Sequence, residues 1–370
     1  MIDIRRLRQN HEQIETALRS RGMEANIQII LQRDEERRYL LIQSEEKKAN
    51  RNAIGKKIGF ARKTNTNEKE INAIMEEMRM LGDEIEALDS KIAALDQLIE
   101  DALFSLPNIP HSSVPSSDEV RQSTVRFSGA PRQFLWEPKT YQELGTDLAI
   151  ANELNGQNVY CGQGAKLRRA LVNFLLDHFA ENGYEELILP SDLSALTYFH
   201  EMILDGTSLP VLNVNHSVKP HACIELLQLI QPETSYQALE AMTAIIELVF
   251  QTLDLPCRIF ERSCKELEFS AAKSYGVKVW LPSEQHYVEV GSCTNCEDFL
   301  SRRFFIRTRN TSKEKPHYVH TLDSSLYIDG FFKAILENYQ NDDGTVSIPE
   351  ALVSYTGTKL ISRNFKRIGT

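Results

Sequence analysis

Between Ile71 and Ala102 the apolar residues fall at Ile71, Ile74, Met78, Leu81, Ile85, Leu88, Ile92, Leu95, Ile99 and Ala102. The steps alternate three and four, which keeps one seam on one helix face over about four heptads. Such a seam is exposed to water unless a second helix covers it. The upstream segment supplies that helix. From residue 33 to about 62 the chain has no proline and is rich in Glu, Lys, Arg and Ala, with a weaker seam at Leu41, Ile42, Ala49, Ile54 and Ile58 and glycines at Gly55 and Gly59. The intervening KTNTNE has turn residues and no apolar anchor, so it reads as the tip of an antiparallel helical hairpin.

The two arms carry opposite charge. Residues 47–63 hold seven cations (Lys47, Lys48, Arg51, Lys56, Lys57, Arg62, Lys63) and no acid, whereas residues 68–104 hold eleven acids and three bases. At about 100° per residue, Lys47, Arg51 and Arg62 share a helix face. Charge alone leaves two readings open: cations paired with acids of the other arm, or a stripe that tracks a phosphate backbone. The net charge of the whole chain is -10, so affinity for nucleic acid has to come from such a local patch.

After the arm (residues 1–105) comes LPNIPHSSVPSSDE, rich in proline and serine, and 106–133 reads as a linker. A second domain, 134–370, has a mixed pattern. A helix from about Ala165 to Glu181 precedes the strand YEELILP and a short helical stretch ending before Phe199. VLNVNHSV and ACIELLQLI read as paired strands with a turn at Lys219-Pro220. A helix over about 235–253 is followed by strands in PCRIFERS, VKVWLP and YVEVGSC and a closing helix from Phe331 to Gln340. Strands in a run with helices at both ends predict an antiparallel α+β sheet. No stretch reaches the roughly 18 apolar residues of a membrane span, no signal peptide is visible, and six irregularly spaced cysteines fit a reducing compartment. Cys293 and Cys296 form a single CxxC that lacks the two further ligands zinc needs, so no metal is expected.

Five stretches, SLPNIPH, EFSAAKSYGVKVWLPS, EVGSCTNCEDFLSRR, YVHTL and AILENYQ, together with the basic-tipped arm and a helix–strand ending in Pro190, resemble seryl-tRNA synthetases of the bacterial type nearly end to end. The resemblance implies a class II synthetase-type antiparallel sheet flanked by helices, preceded by an N-terminal antiparallel coiled-coil arm. It implies a cytoplasmic homodimer with no membrane partner. Pro190 and the helix before it match the motif that forms the dimer interface. With the family in view, tRNA contact by Lys47, Lys48, Arg51, Lys56, Lys57, Arg62 and Lys63 becomes the expected role of the basic stripe.

The family's reaction joins serine to ATP and passes the acyl group to the tRNA 3′ end. Charge builds on the phosphoryl oxygens, so positioned cations supply most of the stabilisation, and the family uses one arginine in its second motif and one in its third. Arginine suits phosphate because its planar fork binds with two hydrogen bonds. Here the third motif reads DSSLYIDGFFKAILENYQ: Asp329-Gly330 stand where the arginine belongs, and Lys333 is the nearest cation. Asp329 is expected to repel phosphate even at a helix N-terminus. The second motif, SLPVLNVNHSVKPHACIELLQLI, has no Phe-Arg-x-Glu; Lys219 is the only nearby cation and His221 stands near the stacking position. The family's Thr-Ala-Glu segment for serine has no match. Glu289 and Ser292 match its metal-coordinating positions, with Asn295 and Arg302 in the same stretch, whereas His317 and His320 read as structural.

The leading expectation is therefore a seryl-tRNA synthetase-like protein that does not activate amino acid. It has no catalytic residues or cofactor, only a remnant pocket at Glu289, Ser292 and Asn295, with a dimeric scaffold and tRNA as a partner. One alternative is an active serine–tRNA ligase, or a related adenylating or transferring enzyme. It would use ATP and Mg in a remodelled pocket with Lys333 or Lys219 in place of arginine. Another is a protein-interaction module.

Overall fold

The computed structural model describes residues 1–63, 68–116, 124–154, 157–190, 193–205, 208–215, 223–309, 311 and 313–363. Two compact units result, Met1–Pro107 and Asn108–Thr370.

In the first unit, α1 (Ile4–Gln9) and α2 (His11–Ser20) precede two long helices, α3 (Ile27–Lys63) and α4 (Glu68–Ser105). Ile54 and Ile58 of α3 bury against Leu81 and Ile85 of α4, with Ile74 and Met78 beside them. The seam continues inward at Ile92 and Ile99. On α3 the inward positions differ from those expected: Ile42 is 60% exposed and Ala49 is also exposed. Ser44 takes the seam position instead, buried and donating to Asp89 at 2.7 Å. Pairing of Arg37 with Asp96 and Lys47 with Glu84 sets the two helices antiparallel.

The second unit opens with β1 (Thr124–Ser128), α5 (Tyr141–Asp147), β2 (Ala151–Leu154), β3 (Gln157–Tyr160), α6 (Gly162–Glu181), β4 (Glu185–Glu186), α7 (Ala195–Tyr198) and β5 (Ile203–Asp205). Then come β6 (Ser208–Asn215), β7 (Cys223–Ile230), α8 (Ser235–Thr252), β8 (Cys257–Glu261), β9 (Lys273–Leu281) and β10 (His286–Asn295). The chain continues through α9 (Phe299–Arg303), β11 (Arg307–Arg309), β12 (His317–Tyr318), β13 (His320–Tyr327), α10 (Ile328–Asn338), β14 (Val346–Ser347), α11 (Glu350–Thr356) and β15 (Leu360–Ile361). Eight strands form one sheet in the order β1-β8-β9-β10-β13-β7-β6-β4. It is antiparallel except at its edge, where β4 runs parallel to β6. The turn expected at Lys219-Pro220 lies outside the described residues.

Two expectations need correction. Part of the segment expected as linker belongs to this unit: Thr124–Ser128 is an edge strand, and Asn108–His111 is stitched to the core. Asn108 Nδ2 donates to the carbonyls of Cys296 and Ser270 at 2.8 and 2.9 Å, and the His111 amide donates to Ala272 at 2.8 Å. Prolines there remove backbone donors, but the side chain of Asn108 replaces them. The strand expected over YEELILP pairs only at Glu185–Glu186.

One sheet face is covered by α6, α8 and α10. Leu171, Leu175 and Phe179 of α6, Met242, Ile246 and Phe250 of α8, and Phe331 and Ile335 of α10 meet Val277, Cys293 and Leu326 of the sheet. Phe250 stacks on Phe331 with ring centroids 4.8 Å apart. Each fully buried side chain of this size stabilises by about 1.5–3 kcal/mol, which holds α10 against the sheet. Among the described residues no helix is long and apolar enough to cross a membrane.

Glu337 of α10 is fully buried. It accepts from the amides of Tyr141 (3.0 Å) and Ser283 (3.1 Å) and from Ser283 Oγ (2.7 Å). Burial pushes its carboxyl above the ordinary range, against those hydrogen bonds. The folded protein thus keeps a proton that the unfolded chain has released. The contribution of Glu337 is full below the unfolded value, about 4.3, and falls as pH rises through the higher folded one. Glu337→Gln is expected to destabilise more at pH 4.5 than at pH 7, measured as the difference in urea unfolding free energy from the parent. Equal differences at both pH values would refute the assignment.

Candidate ligand site on the open face of the sheet

Alternation along the strands sends every second side chain to the helices and the others to the uncovered face. The register lines up one transverse row on that open face. Asn213 of β6 lies opposite Glu225 of β7, Glu225 opposite Ser325 of β13, Ser325 opposite Ser292 of β10, Ser292 opposite Gly276 of β9, and Gly276 opposite Phe260 of β8. A neighbouring row runs Val211, Leu227, Asp323, Thr294 and Ser274.

At the β6–β7–β13 end is a cavity of about 240 Å³, lined by Asn213, Glu225, Asp323, Ser325, Ser194 and Leu300 among others. Its described lining includes two carboxylates and no Lys or Arg. Cys296 Sγ donates to Asp323 Oδ1 at 3.2 Å. Such a cavity suits a small ligand with an ammonium group and repels phosphate.

The other end of the row is filled. The ring of Phe260 lies over Gly276, where a Cβ would come 2.1 Å from Cζ, so only glycine fits opposite it. Lys278 Nζ sits 4.4 Å from the ring centroid and Arg262 Cζ 5.7 Å. Arg262 pairs with Glu289 and reaches Glu268 at 3.2 Å. Glu289 and Ser292 were the expected metal-coordinating remnants. Ser292 stays on the open face, but Glu289 is neutralised by Arg262 beside a ring. These residues therefore do not fit a divalent cation. Asn295 is corrected outright: it is fully buried on the helix side, donating to Ser235 Oγ at 3.2 Å and accepting from the Glu297 amide at 2.8 Å.

The two aspartates of the third motif separate. Asp323 faces the cavity, whereas Asp329 is buried at 7% exposure beneath α6, 3.2 Å from Arg168 Nε. It therefore acts as half of an internal ion pair, not as a group facing phosphate. Arg168 also lies 5.1 Å from the Tyr160 ring centroid, and burial followed by the Asp329 charge raises the Tyr160 hydroxyl well above the usual range. At Gly330 a Cβ would lie 2.5 Å from Val290 Cγ1, so any side chain there collides with β10. Lys333 is no substitute cation, since its Nζ rests 4.3 Å from the Tyr141 ring centroid. Lys219 and His221 lie outside the described residues.

Of the basic stripe, Lys47 pairs with Glu84 and Lys48 with Asp89 at 3.0 Å. Arg51, Lys56 and Lys57 are exposed. The side chains of Arg62 and Lys63 lie outside the described residues. Pro190 is exposed, just beyond a cavity of about 570 Å³ between α6 and Leu187–Leu189, where Ile188 is 85% exposed. His320 Nδ1 meets Ser235 Oγ at 2.8 Å and His317 Nε2 meets Gln231 Oε1 at 2.7 Å, both contacts tying β12–β13 to the start of α8. Arg302 bonds Asp298 at 2.8 Å. Burial pushes the thiols of Cys293, to about 12, and Cys296 upward. Sequence reasoning missed Glu225 and Arg262. The signal for Glu225 was an acid inside the apolar strand CIELLQLI; Arg262 had none.

An antiparallel sheet covered by helices on one face and open to ligand on the other defines the core of a class II aminoacyl-tRNA synthetase. Residues 221–339 match the tRNA synthetase class II core domain (G, H, P, S and T), and residues 1–110 match the Seryl-tRNA synthetase N-terminal domain. The serine–tRNA ligase of Carboxydothermus hydrogenoformans is 37% identical, over 98% of this chain and 99% of its own length. The chain belongs to the seryl-tRNA synthetase family. That comparison spans 424 positions against 370 residues here, so at least 54 positions have no residue in this chain. Among solved structures, seryl-tRNA synthetase from Pyrococcus horikoshii complexed with ATP superposes with a TM-score of 0.87 at 27% identity, covering 98% of this chain and 100% of that one. M. kandleri SerRS in complex with A. aeolicus tRNASec shares the fold at a TM-score of 0.53 and 13% identity, over 79% of this chain and 72% of that one.

Gly330→Arg is expected to restore nothing and to destabilise by about 1–3 kcal/mol through overpacking against Val290, read by urea unfolding. A variant as stable as the parent would show that the helix yields and that the packing account is wrong.

Proposed function

We propose that this protein is a seryl-tRNA synthetase family member that holds serine tRNA through its arm, as a cytoplasmic homodimer, and does not form seryl-adenylate. The observation that carries this reading is the Arg262–Glu289 pair over Phe260, which fills the open face beside Ser292. Closure of position 330 against Val290 and the carboxylates Glu225 and Asp323 in the remaining cavity support it further. A triphosphate placed there meets negative charge where the reaction needs cations. Losing one such contact costs on the order of a hundredfold in rate, and this chain lacks the arginines of both motifs. The cavity retains chemistry for a small amine such as serine itself.

Support for tRNA binding comes from the matched N-terminal domain and the exposed Arg51, Lys56 and Lys57. The tRNA complex of M. kandleri SerRS adds to it. The apolar groove at Ile188 supports the dimer. A second reading, an active ligase, is favoured by the full-length match to a serine–tRNA ligase and by the ATP complex of the Pyrococcus horikoshii enzyme. It requires Arg258, Arg262 or Lys278 to serve the phosphates, with Glu289 released from its pair.

Serine-dependent pyrophosphate exchange with ATP and magnesium is expected at background level; turnover above background would establish the second reading. Replacing Arg51, Lys56 and Lys57 together by glutamate is expected to weaken serine-tRNA binding at least tenfold and to flatten its salt dependence by about three phosphate contacts. Unchanged filter-binding curves would remove the arm from the reading. Ile188→Asp is expected to convert a dimer into a monomer by native mass spectrometry.

A further inference from the structure

Helix α3 carries two stripes. The inner one, with Ser44, Ile54 and Ile58, meets α4. A second one lies on the side turned away from α4. Tyr39, Ile42, Ala49, Ala53 and Phe60 follow steps of three and four once Glu46 and Lys56 are counted between them, and at about 100° per residue the whole set falls on one face. All of these residues are exposed, Tyr39 at 62% and Phe60 at 70%. That rhythm, kept over roughly 30 Å of helix, is the pattern of a coiled-coil seam. Ile42 and Ala49, absent from the inner seam, belong to this outer one.

The order of residues along the outer stripe is self-complementary. An antiparallel copy centred on Arg51 places Ile42 opposite Phe60, Glu46 opposite Lys56 and Ala49 opposite Ala53, and the two-fold axis repeats each layer. Large apolar side chains then fall at the ends, opposite charges next, and alanines at the centre, where the helices approach most closely. Parallel pairing in register sets Glu46 on Glu46 and Lys56 on Lys56. An antiparallel shift by one heptad sets Lys56 on Ala53 or on Tyr39. We propose that this face of the arm binds a second copy of itself, antiparallel, with Glu46 and Lys56 fixing the register. Polar positions in a seam specify register at a cost in affinity, so the contact is reversible. Lys56 is also one of the cations assigned above to tRNA. A second arm and tRNA therefore exclude one another, and pairing withholds the arm from RNA. The exclusion rests on the tRNA reading; the pairing does not.

Sedimentation velocity on the full chain is expected to show a concentration-dependent species of twice the mass, which serine tRNA dissolves. Glu46→Lys sets like charges across the contact, and so does Lys56→Glu. Each is expected to raise the half-assembly concentration by about tenfold or more, with an unchanged circular dichroism spectrum. Their equimolar mixture brings every lysine of one chain onto a glutamate of the other. Assembly of the mixture is expected to return to the parental level, as is that of the double variant Glu46→Lys/Lys56→Glu. As a readout independent of any variant, a zero-length carbodiimide is expected to join Glu46 of isotopically light chains to Lys56 of heavy ones. Within one chain these residues lie about 15 Å apart along α3 and cannot be joined. Single variants that assemble like the parent, a mixture no better than its components, or no light–heavy cross-link between Glu46 and Lys56 would each overturn the pairing. Serine tRNA that binds yet leaves the assembly intact would overturn the exclusion. Serine tRNA that does not bind would overturn the tRNA reading, while the mixture still decides the pairing.

Discussion

The antiparallel ladder from β6 through β7, β13, β10 and β9 to β8 is the constraint on which the rest of the second unit depends. Because side chains alternate, hydrogen bonding between strands decides both faces at once. Putting Val277, Cys293 and Leu326 against α6, α8 and α10 obliges Ser292, Ser325 and Glu225 to share the other side. A slip of one residue in β10 would turn Ser292 and Thr294 toward the helices and Cys293 away from them. The site therefore needs no separate positioning device; it is the reverse side of the hydrophobic core.

That arrangement also separates the open face by charge. Carboxylates Glu225 and Asp323 gather at the β7–β13 end, and Arg258, Arg262 and Lys278 at the β8–β9 end. In a partly desolvated groove such a division discriminates ligands by sign more than by shape. An ammonium and a phosphate find favourable ground at opposite ends of one face. Phe260 and the Arg262–Glu289 pair occupy the basic end next to Ser292. The α10 helix is fixed by the core rather than by a ligand. Phe331, Ile335 and the buried Glu337 hold it to the core whether or not its first turn faces a ligand.

Local periodicity made the largest elements legible. Ten seam positions in register announced α4, and apolar runs bounded by Pro and Gly announced β7, β9 and β10. Asn295 was misplaced because family resemblance was followed over alternation: two residues beyond the helix-facing Cys293, it shares that buried face. For Lys47 and Lys48 charge left pairing with the acidic arm open, and the family resemblance turned the reading toward tRNA; both pair with that arm. Within 106–133, proline and serine pointed to a linker, whereas the Asn108 side chain ties its own stretch to Ser270 and Cys296.

By itself, the sequence determined that a two-helix arm must form and that an α+β sheet follows. These are properties of spacing and composition, which act over one or two turns or strands. Only the tertiary structure decided that Asp329 answers to Arg168 across 161 residues, that Glu289 is spent on Arg262, and that Glu225, Asp323 and the Arg258–Lys278 patch face the same solvent. Those pairings depend on strand register and helix docking, and electrostatic energy falls off with distance in space, not along the chain.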